Sequence, residues 1–141
     1  MKCIAYRAGN QYQLKQDYSD IIPITPPADI DIQFSSPRTD GSLVIRNGYA
    51  WDGPSAPTID TQNFMRGSLV HDALYQLMRE RHLDRNTYRE PADRFFRQIA
   101  GTDGMSAIRA WWVYQGVRFE GGPTSDPALD KPLTHVREGC P

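Results

Sequence analysis

At 141 residues the chain is long enough for one ordinary domain with its own core. Sixteen Lys and Arg against 17 Asp and Glu leave a formal net charge of −1, which excludes the basic footprint of a nucleic-acid binder and any polybasic membrane segment. Mean hydropathy is −0.60, and no apolar run approaches the roughly 20 residues of a membrane span, so no transmembrane segment is expected.

The run Met1-Lys2-Cys3-Ile4-Ala5-Tyr6-Arg7 lacks the long apolar core of a signal peptide, so a cytosolic product is expected. Cys3 and Cys140 stand at opposite ends. A bridge between them would close nearly the whole chain, but two free thiols are the ordinary cytosolic state. Neither sits in a metal-type cluster. Cys3–Ala8 and Tyr12–Tyr18 flank the turn signal Gly9-Asn10, which predicts a hairpin. Ile30-Asp31-Ile32-Gln33-Phe34 alternates apolar and polar residues like a half-buried strand, and Ser42–Arg46 follows a turn at Asp40-Gly41, so these two should pair. The segment Ile22–Pro27 cannot be a central strand, because proline lacks the ladder donor.

Glycine and proline then crowd Gly48-Tyr49-Ala50-Trp51-Asp52-Gly53-Pro54-Ser55-Ala56-Pro57, which marks an ordered loop. The second half is helical. Phe64, Leu69, Val70, Leu74, Leu77 and Met78 form an apolar stripe over Thr61–Arg81. Glu90–Ala100 predicts a second helix, with Pro91 in its first turn and Gly101 at its end. Ser106–Phe119 predicts a third, with an aromatic-rich strip of Ile108, Trp111, Trp112, Tyr114, Val117 and Phe119. Adjacent helical residues face different sides, so one of Trp111 and Trp112 should be core and the other should mark an interface. Gly121 to Pro141 reads as an extended tail rich in Gly and Pro. The expected architecture is α+β: an N-terminal antiparallel β unit (residues 1–47), a Gly/Pro loop (48–60), three helices (61–119) packed on one another and on the sheet in one domain (1–120), then the tail (121–141).

The chemistry concentrates in Val70-His71-Asp72-Ala73-Leu74-Tyr75 and Pro91-Ala92-Asp93-Arg94-Phe95-Phe96. His71 and Tyr75 are i and i+4 and share a helix face, while Asp72 is rotated by about 100° toward another neighbour. If the second helix returns antiparallel, Asp93 can accept the proton on one imidazole nitrogen, and the other nitrogen then serves as general base toward a water. Asp72, with Asp52 and backbone carbonyls of the Trp51–Ala56 loop, could hold a hard cation such as calcium that polarises a substrate carbonyl. The structural alternative is a buried polar network: a His-Asp pair in the core, Asp93 as a helix-start charge, Tyr75 as a core aromatic and Asp52 as a turn residue before Gly53. Ser55 lacks the Gly-x-Ser-x-Gly elbow and reads as a loop hydrogen-bonder. His82 and His135 should face solvent. The arginines Arg79, Arg81, Arg85, Arg89, Arg94 and Arg97, interspersed with acids, read as a solvated face with local ion pairs.

The loop Gly48–Pro57, the run Val70–Tyr75, Ala92-Asp93-Arg94-Phe95-Phe96 and a tryptophan-containing helix together resemble a family of small phage and prophage proteins, the domain of unknown function DUF1353, over about Ile45 to Phe119. That resemblance implies a viral or prophage origin without an assigned activity. The His-Asp-x-x-Tyr run is also similar to the active-site helix of phospholipases A2, in the compact bacterial enzymes and in parvovirus capsids. On that resemblance His71, Tyr75 and Asp93 are the catalytic set, and Asp72 is a calcium ligand. Asp52, Trp51, Gly53 and Ser55 then stand for the calcium loop, and a phospholipid is the substrate. The cysteines that usually flank the family's histidine are absent, with Ser68, Leu69 and Val70 in their place. The expectation is a phage-type hydrolase made in the host cytoplasm. The alternative is a non-enzymatic virion, tail or neck component that binds phage structural proteins or further copies of itself.

Overall fold

A computed structural model describes residues 6–7, 12–51 and 62–125. The protein is α+β, with small antiparallel sheets followed by three helices. The strands up to Trp51 belong to one compact unit and the helices from Gln62 to another.

In the β unit, β1 (Tyr6–Arg7), β2 (Tyr12–Leu14) and β6 (Ala50–Trp51) form one antiparallel sheet in the order β1-β2-β6. The predicted hairpin is present with Tyr6 opposite Leu14, while its Gly9-Asn10 turn lies outside the described residues. Trp51 pairs with Tyr12, so the expected Gly/Pro loop gives way at its start to a strand. Its indole packs 5.7 Å from the Tyr12 ring and 6.3 Å from that of Tyr49, which explains why aromatics crowd this stretch.

The second sheet has the order β3 (Tyr18–Ile21), β5 (Ser42–Ile45), β4 (Ser35–Pro37), with β5 in the centre. Leu43 and Ile45 are fully buried and alternate with half-buried Ser42 and Val44, the period-two pattern of a one-sided sheet. The strand expected at Ile30–Phe34 is displaced: β5 pairs with Ser35–Pro37 instead. The backbone N–H groups of Ile30 and Ile32 donate to the carbonyls of Pro37 and Ser35, at 2.9 and 3.0 Å. Arg46 secures the arrangement, donating from Nη1 to the Ile32 carbonyl at 3.0 Å and from Nη2 to Ser36 Oγ at 2.6 Å. Alternation identifies a buried face but not a partner, and the polar clamp that chose the partner has no periodic signature.

In the helical unit, α1 (Gln62–Arg79), α2 (Arg85–Thr102) and α3 (Ala107–Ser125) follow in order. The predicted apolar stripe of α1 is wider than a stripe, because every residue from Phe64 to His71 is buried. Arg81 takes the left-handed conformation (φ 65°), and His82 N–H donates to the Leu77 carbonyl at 2.8 Å, closing α1 with a C-terminal cap. Helix α2 starts earlier than expected, since Asp84 caps it by accepting from Thr87 N–H at 3.1 Å. Pro91 therefore lies inside the helix rather than in its first turn. Nor does Gly101 end it: α2 runs to Thr102, and Gly104 holds the left-handed position (φ 105°). Ser106 caps α3 by accepting from Arg109 N–H at 3.2 Å. Helix α3 continues through Gly121, where the tail was expected to begin, to Ser125.

Successive contacts show that α1 and α2 run antiparallel. Phe64 meets Phe96 edge-on at 5.2 Å, and Tyr75, further along α1, meets Asp93, which comes earlier in α2. Phe64, Phe96, Ala100, Met105, Ala110 and Val113 form a shared core. Arg66 Nε and Nη2 each donate to the Asp103 carboxylate at 2.9 Å, a buried bidentate pair joining α1 to the end of α2.

Candidate functional site

Helical spacing puts His71 and Tyr75 on one face of α1, and the antiparallel return of α2 brings Asp93 to them. Asp93 Oδ1 lies 2.6 Å from His71 Nε2 and accepts from the Tyr75 hydroxyl at 2.5 Å. Its other oxygen, Oδ2, accepts from Arg118 Nη1 of α3 at 2.9 Å. Asp93 is fully buried, with 0% exposure, so these donors replace the water a carboxylate needs. The three helices meet at this carboxylate.

The Asp93 contact makes Nε2–H the donor of the neutral imidazole and leaves the Nδ1 lone pair unused by that bond. Nδ1 lies 3.8 Å from Asp72 Oδ1, beyond hydrogen-bonding reach. The ring is flanked by Tyr75 at 4.1 Å and Phe96 at 4.9 Å, and its side chain is 7% exposed. Burial works against the imidazolium, but the pull of Asp72 and Asp93 more than offsets it and raises the His71 pKa above 6.5. Burial, reinforced by Asp93, pushes the Tyr75 hydroxyl well above its ordinary value of 10.0, so it stays a donor at neutral pH.

His71, Tyr75 and Asp93 are thus brought together, with Asp72 one-third exposed beside the ring. Trp51 belongs to the other compact unit, where its side chain is buried in the aromatic cluster. Asp52, Gly53, Ser55, His135, Cys3 and Cys140 lie outside the described residues. Among the described residues, no group of three or more His, Cys, Asp and Glu side chains could hold a metal ion. His82 faces solvent, as expected.

Two cations escaped sequence reasoning. Arg118 was not among the arginines singled out. Arg89, read there as part of a solvated face, donates from Nη2 to the Arg118 carbonyl, and its Nε is buried without a partner among the described residues. An Arg in a helix full of charged residues carries no local mark of being turned inward. The α3 strip also divides differently from the expectation. Trp111 and Trp112 both face outward, at 41% and 65% exposure, and lean on each other at 5.2 Å.

The fold and this cluster define a small α+β protein whose three helices converge on a buried His-Tyr-Asp-Arg network. The chain belongs to the family described as protein of unknown function (DUF1353), whose model matches residues 29–117. That match takes in His71, Asp72, Tyr75 and Asp93 and reaches one residue short of Arg118. No curated protein and no solved structure matches the chain. Among the described residues, no helix is long and apolar enough to cross a membrane.

Proposed function

We propose that the His71 cluster is a hydrolytic centre acting on an acyl ester, with a phospholipid the favoured substrate class. The observation that carries this reading is the 2.6 Å contact of Asp93 with Nε2, which directs the imidazole lone pair to Nδ1. In that role Nδ1 takes a proton from water as the water oxygen attacks the ester carbonyl carbon. The imidazolium then returns the proton to the departing alkoxide, and Asp93 holds the ring throughout. The similarity of His71-Asp72-x-x-Tyr75 and Asp93 to the phospholipase A2 site favours a lipid ester. On that similarity a calcium ion would polarise the carbonyl, with Asp72 as one ligand. The described residues supply no complete ligand set for it.

A second reading is favoured by burial. With His71 only 7% exposed and Asp93 fully enclosed, the network can act solely to lock three helices in a phage virion or assembly component.

The test is fatty-acid release from phospholipid micelles by wild type and His71→Gln, with calcium and with chelator. Calcium-dependent release that vanishes in a folded His71→Gln protein supports the hydrolase. No release by wild type, with melting temperature alone reduced in the variant, supports the structural component.

A further inference from the structure

We infer that Arg118 is the positioning residue of this centre: through Asp93 Oδ2 it sets the direction in which Oδ1 meets the imidazole. The inference rests on the hydrolytic reading for its kinetic consequence and on geometry alone for its structural one.

A carboxylate bonded only through Oδ1 is free to swing about its Cβ–Cγ bond. Both α1 donors use that one oxygen, His71 Nε2 at 2.6 Å and Tyr75 at 2.5 Å. Arg118 Nη1, at 2.9 Å on Oδ2, supplies the second anchor that fixes the plane. It is also a fixed positive charge beside a carboxylate with no solvent exposure, where an unpaired charge is costly.

Arg118 is itself held. Its carbonyl accepts from Arg89 Nη2, which ties α2 to α3 behind the site. Val113 and Val117 seat α3 on the shared core just before it. Arg89 also acts on the cluster: its charge is felt at the Tyr75 hydroxyl, while its Nη2 is used on the Arg118 carbonyl rather than on Asp93. Tyr114 donates to Glu90 at 3.2 Å, Glu90 also pairs with Arg94 at 3.4 Å, and Asp72 lies on the Nδ1 side of the ring. Arg118 differs from the network's buried members in being 32% exposed, so its place can be reached from solvent.

That exposure makes chemical rescue the decisive experiment. A hydrogen bond of 2.6 Å between Nε2–H and a carboxylate is charge-assisted and gives a strongly low-field proton resonance, readable without any substrate. In Arg118→Ala this resonance is expected to move upfield or broaden away. Guanidinium ion, added well below unfolding concentrations, is expected to restore it. Arg118→Lys, which keeps the charge, should retain the resonance, and Arg118→Gln should not. The last two variants decide the matter if Arg118→Ala does not fold. If wild type releases fatty acid, kcat should fall roughly 10- to 100-fold in Arg118→Gln with KM little changed, the range for partners one step behind a functional group. An unmoved resonance in folded Arg118→Gln overturns the inference whatever the activity. A moved resonance in a protein that never hydrolyses lipid removes the hydrolytic reading and leaves Arg118 as the anchor of Asp93.

Discussion

Asp93 shows how one side chain can organise a site. It lies inside α2, is fully buried, and receives a donor from α1 on either side of one helical turn and another from α3. His71 responds to it. Burial lowers its proton affinity, the neighbouring carboxylates Asp72 and Asp93 raise it, and the carboxylates prevail. A group whose folded pKa exceeds its unfolded value of about 6.5 contributes stability below that pH and loses it as pH rises through the folded value. Unfolding free energy from denaturant titrations should therefore decline as pH is raised from about 6 through the raised His71 pKa. His71→Gln should lack that decline, and equal slopes in both proteins would contradict it. The His71–Asp93 meeting was legible in the sequence only as a condition, because the helical spacing marks both residues but the turn between the helices does not fix the height at which Asp93 returns. Arg118 was not, because it lies 25 residues further on and nothing local distinguishes it from solvated arginines.

At the scale of elements, the closeness of α1 and α2 depends on Gly67. A Cβ built there would stand 2.6 Å from Phe96 Cδ1 and 2.7 Å from Cε1, inside contact distance for a packed ring. Alanine would gain about 1 kcal/mol of helix propensity and cost about 1–3 kcal/mol in overpacking. Gly67→Ala should therefore lower the melting temperature, and because Phe96 also lies 4.9 Å from the His71 ring, it should disturb the site as well. In a Phe96→Leu background the same change should become neutral or stabilising. A thermal melt of the four proteins checks both statements. From sequence, a glycine within a helix reads only as a weak position; its purpose appears once the neighbouring ring is known. The boundaries of α2 teach a similar lesson. Pro91 and Gly101 were plausible punctuation, but Asp84 and Gly104 do that work, and the packing of Ala92, Phe96, Ile99 and Ala100 carries the helix across the proline.

Across the whole molecule, the apolar residues of α3 divide between core and surface. Ala110 and Val113 face the shared core, whereas Ile108, Trp111, Trp112 and Phe119 are exposed, Phe119 by 89%. Side chains that bury little contribute little, so Trp112→Ser and Phe119→Ser should each shift unfolding free energy by less than about 0.5 kcal/mol. Equilibrium denaturation of each variant checks this, and a loss beyond about 1 kcal/mol would mean that these rings are covered in solution. The sequence by itself determined the α+β class, the order of strands before helices, the presence of three helices, and the placing of His71 and Tyr75 on one helix face. Each of these follows from periodicity, turn residues and short-range spacing, which act within a few residues of chain. Only the tertiary structure decided that β5 pairs with Ser35–Pro37, that Arg66 and Asp103 form a buried pair, that Gly67 makes room for Phe96, and that Arg118 anchors the central carboxylate. Local patterning says which face of an element can be buried. Which distant partner meets that face depends on the relative height and rotation of whole elements, and those are properties of the packed chain.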